Sequence, residues 1–254
     1  MDQHNEVMDR DVALYRRYGV APTLGLGIDT ATRFTLSFFK EIENNLPDYG
    51  IPFIDGAPAH VDRSNYYGLV NYDRTRTNTN IGTLRFEHDF SESLTVSDNL
   101  RYANYCFDYL VDGPFLGNDF VAPPPPGTPY ADIEVSRDQP SSAGTITLLI
   151  NRSDVTGRFN VLGFNNTLTT GLEVSKEVSR VHRYENGLDD IAPTPLLSPD
   201  PFNIPPTPLL VYATPQGEGR DVSVYALDSV ALGAGWDVDC AKQSTRCGEP
   251  LDGT

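Results

Sequence analysis

The feature that most constrains this chain is alternation with a period of two. In the first clear segment Tyr18, Val20, Pro22, Leu24, Leu26 and Ile28 are apolar. Between them stand Gly19, Ala21, Thr23, Gly25 and Gly27, all small or polar. Successive residues of a strand point to opposite faces, so this pattern specifies a strand with one greasy face, not a helix. A turn-like group, Asp29-Thr30-Ala31-Thr32, follows. The pattern then resumes with Phe34, Leu36 and Phe38 against Arg33, Thr35, Ser37 and Glu41. Pro22 has no N–H to give a ladder and predicts a bulge or an unpaired position there.

The hairpin unit recurs. Leu84, Phe86, His88 and Phe90 alternate with Thr83, Arg85, Glu87 and Asp89. The chain turns at Ser91-Glu92-Ser93, and Leu94, Val96, Leu100 and Tyr102 return against Thr95, Ser97, Asn99 and Arg101. A third unit turns at Gly163-Phe164-Asn165-Asn166, and a fourth at Gly233-Ala234-Gly235. Between these short turns lie long polar connections, Leu46 to Arg76, Leu110 to Ser142 and Tyr184 to Gly219. One contains Pro123 to Pro126, which reads as a stiff spacer. Connections longer than about 12–15 residues are unusual in compact soluble domains.

Composition narrows the classes. Nineteen basic against 35 acidic residues give a formal charge of −16 over 254 residues. That balance argues against nucleic acid, which needs a basic face. No run of residues is long and apolar enough for a transmembrane helix, and the N-terminus as given has no apolar core of a signal peptide. A spanning strand, however, needs only alternate residues apolar over about 9–11 positions. Two classes stay open, a soluble all-β domain and a transmembrane β-barrel. Strict alternation of short and long connections favours the barrel, with short turns at one rim and long loops at the other. Arg33, Glu41, Arg85, Glu87, Arg101, Asp154, Arg158 and Glu173 would then line a wet lumen.

From Asp62 to Phe90 the chain reads DRSNYYGLVNYDRTRTNTNIGTLRFEHDF, preceded by LPDYGIPFIDGAPAHV and followed by LTVSDNLRYANY. In order and spacing these pieces resemble the barrel of TonB-dependent siderophore receptors, catecholate-type receptors above all. TLTTGLEVSKE at Thr167 to Glu177 and VYALDSVAL further on resemble later strands of the same barrels. The resemblance covers about Asp9 to Asp237. It implies an all-β antiparallel transmembrane barrel fragment of about 7–8 strands from a 22-strand type of barrel, without plug or C-terminal strands. Residues 1–238 would be partial barrel. Residues 239–254 lose the alternation and would be a tail of different origin or a truncated end.

No enzymatic constellation appears. The four histidines, His4, His60, His88 and His182, are scattered. Gly25 and Gly27 lie within a strand, and Asp29, Asp98 and Asp154 lack the spacing of a calcium loop. Of the three cysteines, Cys106, Cys240 and Cys247, none has a metal-ligand partner at the right spacing. The expected chemistry is therefore binding. The resemblance implies a ferric siderophore ligand, no resident cofactor because the siderophore itself holds the iron, energy from the TonB complex through the absent plug, and outer-membrane lipid around the wall. A ferric catecholate is an aromatic anion, recognised by cations and ring faces. Arg63, Tyr66, Tyr67, Tyr72, Arg74 and Arg76 in the first long loop match that chemistry. Two other readings stay in view, a degenerate remnant without function and a soluble acidic all-β binding protein or adhesin.

Overall fold

The computed structural model describes residues 2–7, 10–117, 123–185, 191–203, 208–233 and 236–247. Its strands are β1 (Asp2–Val7), β2 (Arg10–Val20), β3 (Thr23–Leu26), β4 (Thr32–Asn45), β5 (Phe53–Ile54), β6 (Ala57–Pro58), β7 (Arg74–Ser91) and β8 (Leu94–Leu110). They continue with β9 (Gly113–Phe115), β10 (Glu134–Asp138), β11 (Ser141–Val161), β12 (Phe164–Glu185), β13 (Thr194–Pro195), β14 (Leu210–Ala213), β15 (Gln216–Gly233) and β16 (Trp236–Cys247). The main sheet is antiparallel throughout and runs β1-β2-β4-β7-β8-β11-β12-β15-β16. β3 prolongs β2 along β4, and β14 joins β12. Neighbours in sequence are neighbours in space, an up-and-down wall. Among the described residues it is an open wall, with β1 and β16 at its edges.

The register confirms the two faces. One row carries Phe34, Leu36 and Phe38 on β4, opposite Phe86, Leu84 and Gly82 on β7. It continues through Leu100 and Tyr102 on β8 to Leu172 and Val174 on β12 and Val224 and Val222 on β15. No protein covers these side chains: Leu36 is 54% exposed and Val224 is 54% exposed. Covering such a residue contributes roughly 1.5–3 kcal/mol, and lipid is what a row of this kind faces. The other row holds Arg33 opposite Glu87, Thr35 opposite Arg85, and Arg152 opposite Glu173.

Several details sharpen the sequence reading, and at Pro22 the expected break is present. The third hairpin closes at Leu162-Gly163, both left-handed (φ 54° and 87°), with Val161 opposite Phe164. Right-handed strand twist favours such a two-residue turn, so Phe164 already belongs to β12. The fourth turn, Gly233-Ala234-Gly235, falls largely outside the described residues. At Ala21-Pro22 the ladder breaks between β2 and β3, yet the Pro22 carbonyl still accepts from Phe38 N at 3.0 Å. Strand pairing also extends to both sides of the expected set. β1 and the first half of β2 precede it, and β16 continues past Asp237 to Cys247.

The largest difference lies in the long connections. They are not simply solvated. Tyr67, Ile133, Val135, Leu196 and Ala59 form the buried hydrophobic cluster, and all five come from the three long loops. Small sheets stiffen it, β13-β10-β9 and the β5–β6 pair. At this height the wall itself buries Leu110, Ser141 and Ser142. The loops fold over one end of it as a cap.

Candidate functional site

The cap decides where the predicted ligand residues point. Tyr67 is 1% exposed, and its hydroxyl donates to the Leu196 carbonyl at 2.7 Å. The Tyr66 hydroxyl donates to the Pro47 carbonyl at 2.9 Å and reaches Asp73 Oδ2 at 3.2 Å. Both tyrosines are therefore internal struts and present no ring to a ligand, because the first loop folds around them. Arg74 pairs with Asp108 (Nε to Oδ2, 2.9 Å), and Arg76 lies 4.0 Å from the same carboxylate. Both arginines stand on the row of β7 shared with Leu84 and Phe86, hence outside the lumen. Arg63 is exposed beside the Asp62–Ser64 turn, and Tyr72 is half-buried. The structure does not gather the six into one surface.

Beneath the cap it gathers another set. Tyr105, Phe107 and Tyr109 of β8 lie on the inner row, opposite Thr79, Thr77 and Thr75. Phe107 and Tyr109 stack with centroids 6.2 Å apart. On the same row Ala103 faces Ile81 and Leu148, Ile81 faces Phe39, and Tyr105 faces Ile146. Ala103 is fully buried under these larger neighbours. Opposite Phe107 stands Gly144, where a Cβ would fall 2.9 Å from the ring and 2.6 Å from the Arg180 carbonyl. The glycine lets the ring lie against the wall. The result is an aromatic, apolar cup on the inner wall at the capped end.

A signal for this cup was present in the sequence. Along β8 the apolar residues sit at Leu94, Val96, Leu100 and Tyr102, then at Ala103, Tyr105, Phe107 and Tyr109. The phase of the alternation changes between Tyr102 and Ala103. β4 does the same after Phe38, where Phe39 takes the inner row and Lys40 the outer. The outer residues of β8 just above the change are Asn104, Cys106 and Asp108, and Leu110 ends the row. On β8 the inner row is greasy where the outer row turns polar.

Nearer the short turns the inner wall is charged and internally paired. Arg33 Nη1 lies 2.5 Å from Asp89 Oδ2, with Glu87 and Arg158 around the same hollow. Arg152 Nε lies 3.0 Å from Asp154 Oδ2 and its guanidinium sits 5.0 Å above the Tyr225 ring, whose hydroxyl donates to Asp154. Among the described residues no three His, Cys, Asp or Glu side chains gather as a metal site.

The cap also holds two buried carboxyls side by side. Asp73 ends the first loop and Asp112 begins the second, 7% and 1% exposed. Leu69 N donates to Asp73 Oδ2 at 3.0 Å, and Gln139 Nε2 to Asp112 Oδ1 at 3.1 Å. Burial, then the neighbouring Asp73, pushes Asp112 up to about 9. Burial raises Asp73 as well. Two carboxyls this close cannot both ionise, so the pair shares a proton.

An antiparallel wall with short turns at one rim and folded loops at the other has the fold of a segment of the outer-membrane β-barrels of TonB-dependent receptors. Comparison with known proteins makes the class more particular. The chain is 34% identical over 119 residues to the probable TonB-dependent siderophore receptor PiuA of Acinetobacter baumannii, covering 44% of the chain and 16% of that protein. It is 29% identical over 187 residues to the catecholate siderophore receptor Fiu of Escherichia coli, covering 66% and 24%. It is 27% identical over 255 aligned residues to the probable TonB-dependent receptor BfrD of Bordetella pertussis, covering 92% and 33%. The chain thus spans no more than a third of the length of these relatives. The crystal structure of Fiu in its open form superposes with a TM-score of 0.82 at 24% identity, over 96% of this chain and 39% of that one. PiuA superposes at 0.76 and 23%, over 98% and 40%. No protein-family model matches the chain.

Proposed function

We propose that this chain supplies barrel wall and outer mouth to an outer-membrane receptor that takes up a ferric siderophore of catecholate type. The observation that carries the reading is the aromatic cup of Tyr105, Phe107 and Tyr109 beneath the cap. Aromatic pairs contribute about 0.5–1.5 kcal/mol each beyond area burial, and a catecholate presents several rings. Iron travels inside the chelate, so no protein ligand set is required. Uptake is energised through TonB by way of a plug segment. The test is growth of an iron-starved outer-membrane host lacking its own catecholate receptors, carrying the gene with its flanking coding sequence. Ferric catecholate supports growth, and Phe107→Ala with Tyr109→Ala abolishes it. Growth unaffected by the double substitution would refute the cup as the binding surface. The chain by itself binds no labelled ferric siderophore in this reading.

A non-functional remnant is the second reading, favoured by the outer row of β16. Lys242 stands opposite Ala226, Ser244 opposite Val224 and Arg246 opposite Val222. A lysine or arginine facing lipid costs about 2–4 kcal/mol at the bilayer midplane. In this reading residues 1–238 are barrel wall and 239–254 a tail of other origin. Cys240 shares that outer row. Full reaction of Cys240 with a water-soluble maleimide in vesicles supports the division, and protection refutes it.

A further inference from the structure

We propose that Arg137 is a positioning residue that ties the three long loops into one cooperatively folding cap, so that they hold or release the mouth together. The side chain rises from β10 in the second loop and is 7% exposed. Its Nε donates to the Tyr67 carbonyl of the first loop at 2.7 Å. Its Nη2 donates to the Asp200 carbonyl of the third loop at 2.6 Å, and Nη1 to the Ala192 carbonyl at 3.3 Å. One planar fork therefore satisfies backbone acceptors on both other loops. A guanidinium suits this task because its five N–H groups are fixed in direction.

The remaining contacts make the assembly cooperative. The third loop is stitched to the first by Tyr67 hydroxyl to Leu196 and by Val70 N to the Pro201 carbonyl at 2.9 Å. It is stitched to the second by the β10–β13 pairing and by Leu196 N to the Ile133 carbonyl at 3.0 Å. Val135 and Leu196 are wholly buried between them. Opening any one loop exposes this shared core and strands the charge of Arg137 among carbonyls that have moved away. A buried charge left without partners is strongly unfavourable. The loops thus belong to a single unit that opens as a whole, of the kind native-state exchange resolves. What the unit does for ligand capture rests on the function proposed above; the unit itself does not.

The test is amide hydrogen exchange of the full chain refolded in detergent, compared with Arg137→Met and Arg137→Lys. Peptides covering 65–73, 133–137 and 194–201 gain exchange together, tenfold or more, in both variants. Peptides covering β11 and β12 stay as protected as before. Lysine keeps the charge beside Asp73 and Asp112 but lacks the fork, so full protection in Arg137→Lys would overturn the proposal. So would a gain confined to 133–137. If either variant loses the strand ladder, Leu196→Ala repeats the test from the third loop. It raises exchange at 65–73 and 133–137 if the cap is one unit, and leaves them unchanged if the loops fold separately.

Discussion

Replacing Asp112 by asparagine removes the proton that the cap shares between Asp73 and Asp112. In the folded cap Asp112 holds its proton up to about 9, whereas the ordinary value is 3.8. Between those values the folded cap keeps a proton that the opened cap releases. The folded state binds more protons, so stability is full below the ordinary value and falls as pH rises toward the folded one. One proton gives a slope of about 1.4 kcal/mol per pH unit. From about pH 6 to about pH 8 the cap therefore loses roughly 3 kcal/mol, a hundredfold in its opening constant. Asparagine offers Asp73 an N–H at every pH, so the part of the slope owed to Asp112 vanishes and what is left belongs to Asp73, which burial also raises. Amide exchange of the peptides over 65–73 and 110–116 measures this, after correction for the pH dependence of the chemical exchange step. The Leu69 N to Asp73 bond is a direct reporter. Equal slopes in the two proteins, or a flat profile in the parent, would refute the shared proton.

Other substitutions probe other links. Tyr67→Phe deletes the hydroxyl bond to Leu196 and costs the cap about 1–2 kcal/mol, read as a tenfold rise in exchange at 194–197. Leu172→Arg on the outer row lowers the stability of the chain folded in lipid vesicles by about 2–4 kcal/mol in a urea titration, while Ser175→Arg on the inner row costs under about 1 kcal/mol. Gly171→Ala places a Cβ against the Tyr225 ring and the Asp154 carboxylate, so the ring must lift away. That costs about 1–3 kcal/mol, and a second substitution, Tyr225→Ser, returns most of it.

The wall was legible because its information is local. Leu24, Phe34 and Leu84 announce their face by parity alone, and the register places every predicted inner charge, Arg33 through Glu173, on the row expected. The cap was not legible, because its core is assembled from single residues far apart in sequence. Tyr67 and Leu196 lie 129 positions apart, share one buried cluster and are joined by one hydroxyl bond. No period marks such a pair. The same blindness places Tyr66 and Tyr67 among the expected ligand residues, since composition alone cannot tell a displayed ring from a buried one. The cup of Tyr105, Phe107 and Tyr109 lies between these cases. Its parity is written in β8, but in the opposite phase to the residues below it, and a reading that follows one greasy face along the strand passes over it. β1 and the start of β2 were hidden because charges such as Arg16 and Arg17 interrupt any apolar row.

That change of phase between Tyr102 and Ala103 has a consequence for the surroundings of the protein. On β8 the outer apolar residues from Leu94 to Tyr102, interrupted by Asp98, would act as a gauge of bilayer depth, close to the roughly 9–11 residues a tilted strand needs to cross. Deleting two adjacent residues below the change would preserve every facing side chain yet shorten the gauge, and the altered wall would partition toward thinner membranes. Deleting one would turn the strand inside out. The parity shifts on β8 and β4 would together set the membrane thickness that such a wall fits.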